Sequence, residues 1–135
     1  MGYPFFSQAW CDAATTAANA NEAMYQGFKD AASFTNRMAF GTLGRDDLIT
    51  HVEWQAGRIL SWTPPQFDES DLWVIINADL PTWQECADGV SDGRKMLMAG
   101  RLKLAKGPIT AAIENADALN NLLLSWGQVD TDWNV

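Results

Sequence analysis

Hydrophobic positions along this chain change period twice, and each change marks a change of element. Phe6, Trp10, Ala13, Ala14 and Ala17 form a stripe at helical spacing, with Ser7 placed as N-cap, so a helix is expected over residues 7–19. Asn19 and Asn21 interrupt it. A second helix over 22–32 puts Tyr25 and Phe28 on one side. The period then falls to two. Phe34, Asn36, Met38 and Phe40 share one face of a strand and Arg37 points the other way. In the next strand Leu48, Thr50, Val52 and Trp54 share a face, while His51 and Glu53 point opposite, toward solvent. Gln55, Ala56 and Gly57 turn a hairpin into a third strand, Arg58 to Thr63.

After a polar loop with Pro64, Pro65, Asp68 and Glu69, Leu72 to Ala78 is a nearly all-apolar strand, expected at the centre of the sheet. Asp79 and Pro81 open a short helix that ends near Asp88 and Gly89, and a second short helix covers Arg94 to Met98. RLKLAK then alternates strictly, with Leu102 and Leu104 inward and Arg101 and Lys103 outward. Ile109, Ala112, Ile113, Ala116, Leu119, Leu122, Leu123 and Trp126 give the strongest amphipathic signal, a closing helix over 109–126. Residues 127–135 form an acidic, loose tail in which Trp133 has the option of docking. Short connections favour an α+β domain, an antiparallel sheet with helices on one face.

The 135 residues, 47% of them hydrophobic, suit one domain over 1–135 with a sizeable core. Seven tryptophans serve either that core or an apolar pocket or interface. A net charge of −8 argues against nucleic-acid binding and against purely electrostatic docking on anionic membranes. Against that balance, five of the nine basic residues, Arg94, Lys95, Arg101, Lys103 and Lys106, lie together without an intervening acid. They are a solvated face or a local attraction for a carboxylate, a phosphate or a lipid headgroup.

Cys11 and Cys86 read as reduced thiols. No basic leader, no myristoylation pattern (Phe6 stands where Ser or Thr is needed) and no apolar run near the ~20 residues of a membrane span are present, so a cytoplasmic location without stable membrane insertion is expected. Catalytic signals are weak. His51 has no nucleophile beside it in sequence, Asp46 and Asp47 read as turn residues, and Asp88 and Asp92 as helix caps rather than metal ligands. With no Gly-rich phosphate loop and no Cys/His metal spacing, no cofactor or metal is expected.

One order of pieces is distinctive: LWVIINAD, then WQECADG, then GRKMLMAGRLKLAKG. An apolar strand, a polar cap, a short acidic helix ending in Gly, a Met-bearing short helix and a Gly-basic-Leu-basic strand follow in turn. In this order the chain resembles the sterol carrier protein-2 (SCP-2) family of lipid-binding domains. The resemblance covers about residues 20–126, and its specific part is 72–108. It implies a five-stranded antiparallel sheet whose helix-covered face encloses an apolar tunnel. It also implies non-catalytic binding or transport of fatty acids, acyl-CoA esters, sterols or phospholipids. Unlike peroxisomal members, which end in Ser-Lys-Leu or similar, the chain ends Trp133-Asn134-Val135.

Acyl burial at ~0.8 kcal/mol per CH₂ makes about twelve to sixteen methylenes enough for micromolar affinity. The deformable Met38, Met96 and Met98 are candidate lining. Phe40, Val52, Trp54, Ile76, Leu102 and Leu104 are candidates for the sheet floor, and Ile113, Leu119, Leu123 and Trp126 for a helical lid. Taken singly, each suits plain core better than ligand contact, and the set carries the reading more than any one residue. Lys95, Arg101 and Lys103 are headgroup candidates, although alternation puts the last two on the outer face. Two other classes remain open: a small enzyme or enzyme accessory acting on a hydrophobic or aromatic substrate, and an oligomerising module, such as a homodimer, joined through its tryptophans.

Overall fold

The structure, a computed structural model, describes residues 2–135. In chain order its elements are β1 (Tyr3–Pro4), α1 (Gln8–Asn19), α2 (Glu22–Gly27), β2 (Asn36–Thr42), β3 (Arg45–Gln55), β4 (Arg58–Thr63) and β5 (Val74–Ala78). There follow α3 (Leu80–Ala87), α4 (Gly93–Met98), β6 (Lys103–Lys106), α5 (Ile109–Glu114), α6 (Ala116–Ser125) and β7 (Thr131–Asp132).

Local chemistry starts the helices where expected. Ser7 accepts from the Trp10 amide at 3.2 Å, Asn21 from Met24 at 3.1 Å and Asp79 from Thr82 at 2.8 Å, each satisfying an orphan donor of a first turn. Asp92 accepts from the amides of Arg94 and Lys95, so it is a cap; no group of metal-ligating side chains forms among the described residues. Ala56 and Gly57 both have positive φ, the geometry of a tight primed hairpin turn that follows the twist of β3 and β4.

The main sheet has the order β4-β3-β2-β5-β6. The architecture is α+β with five strands, as expected, but the sheet is mixed. β5 runs parallel to β2, with Met38 opposite Val74 and Phe40 opposite Ile76, while the other pairings are antiparallel. The cause is the connection 64–73. It does not turn back as a hairpin but crosses the helix-free face from β4 to the far side of β2, and such crossings deliver parallel strands. The central strand is therefore β2, and β5 lies beside the edge strand β6.

That crossing also corrects the placement of His51. The side chain does leave the helix-covered face, but the loop lies over it and leaves it only 5% exposed. Its Nδ1 accepts from the amides of Gln66 and Phe67, each at 3.1 Å, and the Phe67 ring stacks on the imidazole with centroids 5.8 Å apart. Arg37 lies over that phenyl ring, 4.3 Å from its centre.

The helices cover the opposite face, with α6 in contact with α1, α2, α3, α4 and α5. One half of this layer is a solid aromatic cluster. Phe5, Phe6, Trp10, Phe40, Trp62, Trp83 and Trp126 meet mostly edge to face, at centroid distances such as 5.1 Å for Trp10–Trp126 and 5.4 Å for Trp10–Trp62. Residues 129–135 are not loose. β7 pairs in parallel with β1, Trp133 lies on Phe5 at 4.5 Å, and Thr131 Oγ1 accepts from the Trp10 indole at 2.9 Å. Both cysteines are free and buried; loss of solvation pushes the Cys11 thiol to about 12 and Cys86 to about 11.

Candidate functional site

The other half of the covered face is an apolar cavity of about 40 Å³ between the sheet and the α5–α6 pair. Its floor is β2 and β5 through Met38, Phe40, Val74 and Ile76, with Trp54 from β3. Phe28, Phe34 and Trp73 close one end, and their rings meet: Phe28–Phe34 at 4.3 Å, Phe34–Trp54 at 5.3 Å and Phe34–Trp73 at 5.9 Å. The roof is Ala111, Ala112 and Asn115 together with Ala118, Leu119 and Leu122 of α6. The wall is nearly devoid of polar surface. Asn115, its one polar roof residue, is fully engaged: Oδ1 accepts from the Lys29 amide at 3.0 Å and Nδ2 donates to the Ala111 carbonyl at 2.9 Å.

The two roof helices differ in how firmly they are held. α6 buries Ala116, Ala118, Leu119, Leu122 and Leu123, whereas α5 has no fully buried residue and spans fewer than two turns. The single helix expected over 109–126 is broken at Asn115, whose φ of −107° and ψ of 16° leave the helical region. The break resets the phase, so α5 turns Ala111 and Ala112 to the cavity and Ile109 and Ile113 to solvent. The Lys29–Glu114 ion pair, 3.0 Å and open to solvent, adds a tether to the segment after α2.

Of the thirteen lining candidates, Met38, Phe40, Trp54, Ile76 and Leu119 come together at the cavity wall. Val52, Leu123 and Trp126 are buried in the solid part of the core, as is Leu102; Leu104 is half-buried opposite Ile76 on β6. Met96 is buried against α6, but Met98, two residues on, has turned through some 200° and is 66% exposed. Ile113 is exposed on the outer side of α5, opposite the face that carries Ala111 and Ala112. Neither Met98 nor Ile113 lines the cavity.

The lining positions not anticipated are Phe28, Phe34, Trp73, Val74, Ala111, Ala112, Asn115, Ala118 and Leu122. Phe34, Val74 and Leu122 carried a signal, since they lie in the apolar face patterns of their elements. Ala112 also lay in the stripe of the closing helix, whereas Ala111 and Ala118 carried no signal. Among the headgroup candidates, Arg101 is committed to Glu85 and the Thr82 hydroxyl, while Lys95 and Lys103 are exposed. Asp79 is held below its ordinary value by the Thr82 hydroxyl and amide, with Arg101 and Lys103 adding to the effect.

The sequence matches no family model and no curated protein. Solved structures do match. A crystal structure of sterol carrier protein 2 superposes with a TM-score of 0.75 at 24% identity, over 92% of this chain and 98% of that one. The solution structure of a conserved hypothetical protein from Thermus thermophilus, described as possibly a sterol carrier protein, gives 0.74 at 24% identity, over 97% and 93% respectively. The apo form of sterol carrier protein 2 from Yarrowia lipolytica gives 0.54 at 15%, over 90% and 91%. The chain has the fold of these proteins.

Proposed function

We propose that this protein is a non-catalytic carrier of a hydrophobic small molecule, which it holds between the β2–β5 floor and the α5–α6 roof. The observation that carries this reading is the apolar cavity beneath a helix with no fully buried side chain. The SCP-2 fold supports it, and so does the chemistry of the wall, whose roof asparagine spends its hydrogen bonds on the backbone. His51, the one histidine, is on the opposite face and is occupied by two amides.

At about 40 Å³ the cavity is far smaller than the roughly 300 Å³ and upward of typical ligand sites. Loading therefore requires the wall to move, and α5 is the part of the wall with the least to lose. A lipid chain would separate α5 from the sheet and replace water-exposed ligand surface by contact with Phe28, Phe34, Met38 and Leu119. Met38 can follow the shape of different chains, which favours broad selectivity.

The test is titration of delipidated protein with a dansyl-labelled fatty acid and the matching dansyl-labelled fatty alcohol, read by energy transfer from Trp54 and Trp73. Saturable one-to-one binding of at least one probe is expected, with micromolar affinity, displaced by unlabelled lipid. In Ala112→Phe a phenyl group occupies the cavity from the roof, and affinity is expected to fall by at least about tenfold, since a ring fills the space the ligand needs. Absence of saturation with either probe would remove the carrier reading.

A further inference from the structure

We infer that the cavity ends in a polar subsite formed by Asn36 and Trp54, and that it selects an apolar ligand bearing a neutral hydroxyl group over one bearing a carboxylate. The inference rests on the carrier reading above and adds the chemical class of the ligand's head.

Three of the five buried indole N–H groups find partners across the core. Trp10 donates to Thr131 Oγ1 at 2.9 Å, Trp62 to Thr50 Oγ1 at 2.8 Å and Trp83 to the Gly41 carbonyl at 3.1 Å. Trp54 does not. Its residue is 2% exposed, and Nε1 is buried with no hydrogen-bond partner among the described residues. Trp126 shares that condition but does not line this cavity; it packs in the aromatic cluster and borders a separate depression beside residues 127–131, whereas Trp54 is part of the cavity wall.

Directly across the β2–β3 ladder from Trp54 stands Asn36. Cross-strand partners project to the same face, with Cβ atoms about 5 Å apart. Asn36 also lies between Phe34 and Met38 on its own chain, both of them cavity-lining, and alternation gives all three one face. Its Oδ1 is buried and has no partner either. A donor on the cavity wall and an acceptor paired with it across the ladder, just behind that wall, thus face the same side of the sheet, neither bonded to any described residue. Buried polar groups are ordinarily satisfied, and two neighbouring exceptions of complementary sense point to a missing third group.

The complementarity names that group. An indole N–H only donates and an amide oxygen only accepts. A hydroxyl does both at once: its oxygen takes the Trp54 proton while its hydrogen goes to Asn36 Oδ1. A carboxylate accepts from Trp54 but then faces the Asn36 oxygen, and no Lys or Arg lines the wall to offset its charge. An ether accepts but cannot donate.

Displacement of the dansyl alcohol from the full-length protein by dodecanol, dodecyl methyl ether and dodecanoate tests this. Dodecanol is expected to compete at about tenfold lower concentration than dodecanoate and about fivefold lower than the ether. Asn36→Leu should erase the preference for alcohol over ether, because only the alcohol donates. Trp54→Phe should weaken alcohol and ether alike. An independent readout uses the unaltered protein, should either variant fold poorly. In nitrogen-15 spectra the Trp54 indole proton should move downfield and exchange more slowly with dodecanol bound, and the Trp126 indole should not move. Equal competition by all three compounds, with an unmoved Trp54 indole, would overturn the subsite and leave the carrier standing. No competition and no binding by any probe would overturn both.

Discussion

At the scale of single residues, His51 is the clearest instance of a side chain doing something its sequence pattern concealed. The alternation of β3 places it away from the core correctly, yet nothing in the pattern tells that residues 64–73 return over it. The consequence is measurable. Two amides donate to Nδ1, which only the neutral ring can accept, and burial lowers the imidazole below its ordinary 6.5. A histidine whose folded value is depressed binds its proton more weakly folded than unfolded. Its contribution is therefore intact above about 6.5 and is lost as pH falls through that value toward the folded one. With no second histidine, this side chain dominates the window. Urea unfolding between about pH 7 and about pH 5 should show falling stability in the native sequence and a nearly flat profile in His51→Gln, whose amide oxygen can still accept from the loop. The carboxylates with lowered values, Asp47 and Asp79, lose charge only at more acid pH and do not confuse the comparison. Parallel slopes in both proteins would mean that the loop is not held through the imidazole.

At the scale of elements, the division between α5 and α6 matters most. The 109–126 stripe was legible as one amphipathic helix because Ile109, Ala112, Ile113 and Ala116 keep helical spacing straight across Asn115. At the break Asn115 joins two bonds, a local one from its Nδ2 to the Ala111 carbonyl and a long-range one from the Lys29 amide to its Oδ1, and the second is encoded by no local pattern. The same limit explains Met98 and Ile113: a six-residue helix and a phase break each moved an apolar residue to solvent. It also explains the mixed sheet, since strand periodicity gives faces but not direction. By contrast, caps at Ser7, Asp79 and Asp92, the β3–β4 hairpin and the LWVIINAD-to-AKG succession were written locally and read directly. Because α5 holds its place without a buried side chain, amide exchange should distinguish it from α6. Protection factors for 111–114 are expected to be at least about a hundredfold lower than for 119–123, and to rise on ligand binding. Equal protection in the free protein would show the two helices opening as one unit and would locate the entrance elsewhere.

At the scale of the whole molecule, the covered face is divided between a solid aromatic half and a half that holds the apolar cavity. Trp10, Trp62, Trp83 and Trp126 fill one half, and Trp54 and Trp73 border the cavity in the other; Phe40 touches both. The solid half is closed by the two ends of the described chain, where β1 pairs with β7, Trp133 covers Phe5 and Arg45 Nη1 donates to the Val135 carbonyl at 2.8 Å. None of these closing residues lines the cavity. Removal of 131–135 should therefore destabilise the protein without altering what it binds. Losing the Trp133 contact and the Thr131 and Val135 hydrogen bonds is expected to cost about 3 kcal/mol, read as a lower urea midpoint. Affinity of the folded fraction for the dansyl alcohol should stay within about twofold. Ala112→Phe should do the reverse, abolishing binding while changing stability by less than about 1 kcal/mol, because α5 contributes little buried surface. If shortening the chain weakened binding as strongly as it weakened folding, the two halves would be one cooperative core. The cavity would then be a packing defect of that core rather than a space kept for a ligand.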